Sequence, residues 1–550
     1  MSVQSPTSTV NARAIGLSFF AAALIISAQA SLDGTLAVTI RDAGSGEPTP
    51  VRVRLTDDEG NPPQMRGASP EVESGFGPPP EAIALMWGRS DRADGYTLQP
   101  DGSFYVDGTF EARVPAGEYR LEISKGYEYT QQTHDIEVKA GRRAAQTFDL
   151  ERWINSPQRG WYSADDHIHL RRSPRDNPSA LRWIAAEDIH VGNLLQMGDF
   201  WHFVFSQYGW GETGRYREGD RVLSSGQEEP RTPEIGHTIS LGADDFVRFE
   251  NDYYSYGRLF DRVHELRGIS GFAHQGMSFH GYRGMTMNVL AGKVDFLELA
   301  QFCVADGPIH TKHYYRFLDL GFRLTALAGS DFPWCGRGPR GGPQRTSQIG
   351  DARFYTFVGE EFSFENWLAA VKAGRTFATT GPILELTVND KLPGETLDVS
   401  KGAALRVSAK AYGDGKRIAL ENLEIVAHGE VLKSVTAAGQ SSEQLSIELQ
   451  MPADGGVWIA ARASAGPDYV AHTTPVYVTV DGGGFHNPKT LERNLEIFRS
   501  DLNELDQELN DPGDQLDSEA WRHADQLRRQ IAETREILQT LSAQLTSRSN

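Results

Sequence analysis

Cysteine is nearly absent from this 550-residue chain, which carries only Cys303 and Cys335. One pair excludes a small scaffold stapled by disulfides, so hydrophobic cores must hold the fold. A single bridge between the two stays open. An excess of positive charge is lacking as well: 54 Lys and Arg stand against 74 Asp and Glu, for a formal charge of −20. Such a surface repels both nucleic acid and anionic membrane, so neither is expected as the main partner. After the first 30 residues no apolar run is long enough to cross a bilayer as a helix. What remains is ordinary globular composition, 39% hydrophobic and 23% charged. The length exceeds one core and predicts about three to five units.

Residues 1–30 read as a secretory signal. Arg13 supplies the positive end, Ala14 to Ala28 the apolar stretch, and Ala28-Gln29-Ala30 a small-x-small cleavage site before Ser31. The expected product is exported, periplasmic or secreted, with no membrane span after cleavage.

From 31 to 152 the pattern alternates as in strands: Leu36 to Ile40, Val51 to Leu55, Tyr119 to Ile123 and Asp135 to Val138 put every second side chain on one face. A small antiparallel sandwich is predicted, and the run Pro115-Ala-Gly-Glu-Tyr-Arg-Leu121 resembles carboxypeptidase-regulatory domains. Gly60 to Gly95, rich in Pro and Gly, reads as a long loop. Between 156 and 382 buried strands (Val191 to Met197, Gly271 to His274, Val294 to Glu298, Leu324 to Ala328) alternate with helical stretches (Tyr254 to Leu266, Thr311 to Leu320). That alternation predicts α/β architecture with parallel strands and a site at their carboxyl ends. Strands return over 383–482 as a second sandwich. The tail, 486–550, has two apolar seams, Leu491 to Leu509 and Ala524 to Leu545, with Asp511-Pro-Gly-Asp514 as the turn. This helical hairpin has three uses for its seams: internal packing, docking onto the body, or self-association.

Ten of the 15 histidines lie between His167 and His313. His167 and His169 are two apart, so a strand points both rings to one side, and Asp165 and Asp166 precede them. Downstream, Glu228, Gly236-His237, Gly271-Phe-Ala-His274 and Gly329-Ser-Asp331 each bring a metal-binding side chain near a strand end, mostly beside glycine. Glu298 ends a strand, either as a further ligand or as a salt-bridged rim carboxylate.

These landmarks resemble a family. The run Gly160-Trp-Tyr-Ser-Ala-Asp-Asp-His-Ile-His169 is similar to the "G-W-Y-x-G-D-x-H-x-H" opening of CehA/McbA-type metallohydrolases of the PHP (polymerase and histidinol phosphatase) superfamily. The later landmarks follow in order through Ala373-Gly-Arg-Thr-Phe-Ala-Thr-Thr-Gly-Pro382, so the resemblance covers about residues 160–388. It implies a distorted (β/α)7 barrel, flanked here by the two sandwiches and the hairpin, holding two or three divalent ions (Zn, Mn or Fe). The implied ligands are His167, His169, Glu228, His237, His274 and Asp331. Two departures stand out. Met197-Gly-Asp-Phe200 replaces the usual "T-D-H", with His202 two positions late, and Pro333 occupies the last position of "G-S-D-x-H".

The implied chemistry is hydrolysis of a phosphoester or a carboxyl or carbamoyl ester, because clustered divalent ions acidify water to a hydroxide and stabilise the oxyanion. Asp199 or His202 is the candidate proton shuttle. Arg171, Arg172, Arg337 and Arg340 are candidates to hold an anionic group on a small-molecule substrate. Trp201, Phe203, Tyr208 and Trp210 are candidates for an apolar wall. The missing histidines open another reading, a secreted carbohydrate- or surface-binding protein with a degenerate metal site.

Overall fold

Strand-like alternation between residues 33 and 151 becomes two four-stranded sheets in the computed structural model, which describes residues 33–61, 72–73, 103–200, 202–276, 279–303, 307–335, 347–359, 361–437, 442–510 and 521–549. The signal, most of the 60–95 loop, Trp201, Arg337, Arg340 and the 511–514 turn lie outside these residues. Contacts divide the chain into two units, the first holding 33–61, 103–124 and 131–151 and the second 125–130 with 152–550.

In the first unit Asp33–Asp42 pairs with Thr109–Pro115 and Arg143–Leu150, and Pro50–Asp57 with Ser103–Asp107 and Gly117–Ser124. Alternate residues Leu36, Val38, Ile40, Val51, Val53 and Leu55 are buried, as period-two patterning requires. The sandwich is not wholly antiparallel as expected: Asp33–Asp42 runs parallel to Arg143–Leu150. The two strands stand a hundred residues apart, so no tight hairpin dictates their relative direction.

The second unit is mixed α/β and strand-rich. Its central sheet contains β1 (Trp161–Ile168), β2 (Val191–Gly198), β3 (Arg221–Thr232), β4 (Gly236–Leu241), β5 (Ile269–Phe272), β6 (Phe296–Ala300) and β7 (Thr325–Ala328). Neighbours pair in that order, parallel except that β4 runs antiparallel to β3 and β5. An Ile168↔Phe332 bridge joins the end of β1 to the segment after β7, with His169 N donating to Phe332 O at 3.0 Å. The sheet therefore curls until its two ends meet. Outside it lie α1 (Asn177–Ala186), α2 (Tyr256–Glu265), α3 (Gly281–Leu290), α4 (Lys312–Asp319) and α5 (Phe364–Lys372). In α2 the buried positions Tyr256, Leu259, Phe260 and Val263 follow helical spacing, so one stripe faces the sheet.

The strands after residue 382 form two sheets around one shared core, with Leu386, Val407 and Ile447 on one side and Leu423, Ile459 and Val478 on the other, and one of the two continues into the central sheet. Ile383–Val388, Ala404–Tyr412 and Gln444–Pro452 make one sheet. Facing strands reach the central sheet through Val470–Thr473, which pairs with β9 (Thr376–Thr379), itself paired with β8 (Arg353–Phe357) beside β1. Ladder hydrogen bonds cross the expected border because β9 is an otherwise open edge.

The tail forms α6 (Leu491–Asn510) and α7 (Ala524–Ser549), whose seam residues Leu495, Phe498, Leu502, Leu505, Leu527, Ile531 and Leu538 are buried. The hairpin also docks on α3. Buried Arg283 forms a fork with Glu508, Nη1 to Oε2 at 2.8 Å and Nη2 to Oε1 at 2.6 Å, and Thr286 donates to Asp501 Oδ2 at 2.9 Å. Burial pushes the Asp501 carboxyl up to about 6, only partly offset by Thr286 and Arg316. An acid with a raised folded pKa contributes stability below its unfolded pKa and loses it as pH climbs through the folded value. Asp501→Asn removes that titration and keeps an acceptor for Thr286. Its melting temperature relative to the parent is expected to rise by about 2–4 °C between about pH 4 and pH 7. A difference that stays flat with pH would contradict the docking geometry.

Candidate metal centre

Strand direction gathers the side chains. His167 and His169 end β1, Glu228 lies on β3, His274 follows β5, Glu298 lies on β6 and Asp331 follows β7. His237 starts β4, but β4 runs the other way, so its first residues meet the carboxyl ends of the rest. The site is thus where parallel strands leave unpaired ends and room for side chains. Asp165 fixes this rim by accepting from His167 N (2.9 Å), Ser330 N (3.0 Å), Ser330 Oγ (2.6 Å) and Gly350 N (2.7 Å). His274 (φ 52°) and Asp331 (φ 48°) adopt left-handed backbone conformations, which cost non-glycine residues energy and aim both side chains inward. A side chain at Gly329 would overlap Asp166, His167 and Glu298, which explains glycine there.

Four atoms converge. His167 Nε2 and His169 Nε2 are 3.0 Å apart, and Asp331 Oδ1 lies 3.4 and 3.2 Å from them. Glu228 Oε2 lies 3.8 and 3.4 Å from the same two nitrogens. An ion held tetrahedrally at about 2.1 Å needs ligand atoms about 3.4 Å apart, and these spacings bracket that value. The other oxygens of the two carboxylates face a second group: Glu228 Oε1 is 2.8 Å from His237 Nδ1, and Asp331 Oδ2 is 3.4 Å from His274 Nε2. Glu228, His237 and His274 form a second group whose ligand atoms could hold an ion. Glu298 accepts from His167 Nδ1 at 2.9 Å and from His274 N at 2.6 Å, so it orients an imidazole and leaves Nε2 free for a metal.

Burial opposes a charged His167, yet Asp331 and Glu298 outweigh it and raise its pKa well above the usual range, a sign of the negative charge gathered here. Burial opposes ionisation of Glu228, yet Arg231 and His237 outweigh it and hold its pKa well below the usual range. Asp331 is lowered against its own burial by His167, His169 and His274. Burial holds His169 low and brings His237 down to about 4, favouring the neutral imidazole that binds metal.

All six expected ligands come together. Asp199 and His202 do not join them: their side chains are 55% and 76% exposed and pair with each other at 3.5 Å. Arg171 is exposed, and Arg172 is buried in structure, bonded to Gly214 O, Ser225 Oγ and Gln207 over the Tyr208 ring. Phe203 and Trp210 pack on Phe246. The aromatic collar is different from the one expected. Trp334 and Phe205 lie 5.0 and 5.4 Å from the His169 ring, and Phe279 stacks on His237 at 4.2 Å. Cys303 and Cys335 are bonded, Cα atoms 4.8 Å apart, with both sulfurs against Asp331 Oδ2.

Sequence reasoning missed Arg231. Residues three apart on a regular strand face opposite ways, but a register shift between Glu228 and Arg231 turns both to the centre. Arg231 Nε is 3.1 Å from Glu228 Oε2. Glu229 turns away and pairs with Arg248.

No family model matches the chain, and no curated protein matches it. Among solved structures, the sulfur carrier protein SoxY from Chlorobium limicola f thiosulfatophilum is 13% identical over 18% of this chain and 74% of its own, with a TM-score of 0.14. An engineered protein is 9% identical over 55% of this chain and 51% of its own, TM-score 0.14. A beta-glucosidase from Listeria innocua is 10% identical over 63% and 41%, TM-score 0.12. None of these likenesses carries a functional argument.

Because Glu298 holds His167, Glu298→Gln is expected to weaken zinc binding by about 10–100-fold in a chelator-competition titration. Unchanged affinity would remove Glu298 from the site.

Proposed function

We propose that the chain is an exported, metal-dependent hydrolase of ester bonds, built on the distorted seven-stranded barrel of the PHP superfamily. The observation that carries this reading is the convergence of Glu228 Oε2 and Asp331 Oδ1, at 3.2 to 3.8 Å, on the paired His167 Nε2 and His169 Nε2. The curled seven-stranded sheet and the ordered landmarks from Gly160 to Pro382 support the family assignment. The Cys303–Cys335 bridge suits an oxidising compartment.

Divalent ions in this centre supply Lewis acidity and lower the pKa of water. The chain's own residues do the rest. His167, His169, Glu228 and Asp331 would hold one ion, and Glu228, His237 and His274 would hold a second. Glu298 fixes the orientation of His167, while Trp334, Phe205 and Phe279 narrow the approach of water and present an apolar face to the substrate. The exposed Asp199–His202 pair has no part in this scheme. Phe200 and Pro333, where the family carries histidine, leave a two-ion centre rather than a three-ion one. A binding protein with a decayed site fits less well, because decay would not keep six ligands converged.

The test is turnover of p-nitrophenyl phosphate, bis-p-nitrophenyl phosphate and p-nitrophenyl acetate by chelator-treated and by zinc- or manganese-loaded protein. Activity on at least one ester is expected only with metal. His169→Ala is expected to lower kcat by roughly 100-fold or more. A properly folded protein that binds no metal and turns over none of the three would sink the proposal.

A further inference from the structure

The Cys303–Cys335 bridge borders the metal centre, and the scheme above leaves it unused. Cys303 follows β6 and Cys335 follows Asp331, so the bridge ties together the two segments that leave β6 and β7. Both sulfurs meet the same atom. Cys303 Sγ lies 3.0 Å and Cys335 Sγ 3.2 Å from Asp331 Oδ2. A thiol reaches a carboxylate oxygen by donating its proton, whereas a bridged sulfur has no proton to give. The closed bridge therefore sets two sulfurs against Asp331 with no hydrogen bond between them. Opening it turns the same contacts into donors or metal ligands.

The oxygen that meets the sulfurs also lies 3.4 Å from His274 Nε2. One ligand atom from each of His274, Cys303 and Asp331 falls within 4.8 Å of the other two. Thiolate, imidazole and carboxylate together suit zinc or cobalt, and the thiolate is the softest of the three donors. Asp331 turns its other oxygen, Oδ1, toward His167 and His169, so the sulfurs approach the carboxylate from a different side. A sulfur tied into a disulfide is a poor ligand, because the thiolate is the form that binds metal. Cys303 is the more reachable end, half-buried where Cys335 is 8% exposed.

We propose that Cys303 is a redox-gated metal ligand, an inference that rests on the metal centre of the reading above. With the bridge open, its thiolate joins His274 and Asp331 on an ion; with the bridge closed, it is withdrawn. A dithiol reductant opens the bridge by exchange. One thiolate of the reductant attacks Cys303 Sγ, the S–S bond breaks, and Cys335 leaves as a thiolate that takes up a proton. The reductant's second thiol gives its proton to water and displaces Cys303 from the mixed disulfide. Two electrons have then reached the protein, the reductant departs as a cyclic disulfide, and Cys303 is released as the thiolate. Exchange with a disulfide oxidant runs the same steps in reverse.

Full-length protein is reduced with dithiothreitol, desalted without air and compared with untreated protein, with free thiols counted in both. Cobalt(II) absorption and zinc affinity in chelator competition are the readouts. Only the reduced protein is expected to show a thiolate-to-cobalt charge-transfer band in the near ultraviolet, and its zinc Kd is expected to fall at least about tenfold. Cys335→Ser is expected to show the band without reductant. Cys303→Ser is expected to show it in neither state, with a zinc affinity that reductant does not move. A bridge that dithiothreitol leaves closed in the folded protein would overturn the proposal. So would two free thiols with no band and unchanged zinc affinity, an outcome that leaves the hydrolase intact if ester turnover still requires metal. A band in Cys303→Ser but not in Cys335→Ser also overturns it. A band that depends on Cys303 in a protein that cleaves no ester supports the gated ligand and sinks the hydrolase instead.

Discussion

Two buried carboxylates, Glu228 and Asp331, stand among four imidazoles at one end of a curled sheet. A buried carboxylate is costly unless positive charge or donated hydrogen bonds reach it, and here both are met only by side chains that converge from five different strands or strand ends. The position of each strand is therefore tied to the same few cubic ångströms. If Glu228 were shifted by one residue along β3, its side chain would point away from the centre.

The neighbourhood is arranged around that constraint. Asp165 takes four hydrogen bonds that clamp β1 to the segments holding Ser330 and Gly350. Gly329 keeps space that a side chain would take from Asp166 and Glu298. His274 and Asp331 sit in left-handed conformations, so some local strain is stored where the ligands are aimed. Asp166 is buried with neither carboxylate oxygen hydrogen-bonded among the described residues, and burial together with Glu298 pushes its pKa well up. Such a departure from ordinary polar satisfaction is expected near a functional centre rather than in a plain core.

Much of this was legible in the chain. Period-two runs marked the sandwich strands, and helical spacing marked α2, α6 and α7. The six clustered side chains were readable as candidate ligands because their residue types recur at strand ends, mostly beside glycine. What escaped depends on geometry that a linear pattern does not encode. Arg231 faces the centre only because a bulge reverses strand alternation. Glu298 looked equally like a rim carboxylate until its contact with His167 was placed. The aromatic collar comes from Phe205, Phe279 and Trp334, residues from three separate segments, while the nearer-looking Phe203 and Trp210 pack on Phe246. Asp199 and His202 follow β2 closely, yet both are exposed and pair with each other. The pairing of β9 with Val470–Thr473 across residue 382 was not legible, because ladder bonding carries no signature in composition.

Anomalous diffraction from zinc-loaded crystals tests the central claim most directly. A peak about 2.1 Å from His167 Nε2, His169 Nε2, Glu228 Oε2 and Asp331 Oδ1 is the expected result, with a second near His237 and His274. Full zinc loading with the ions elsewhere on the chain, and none among these four atoms, would contradict the account.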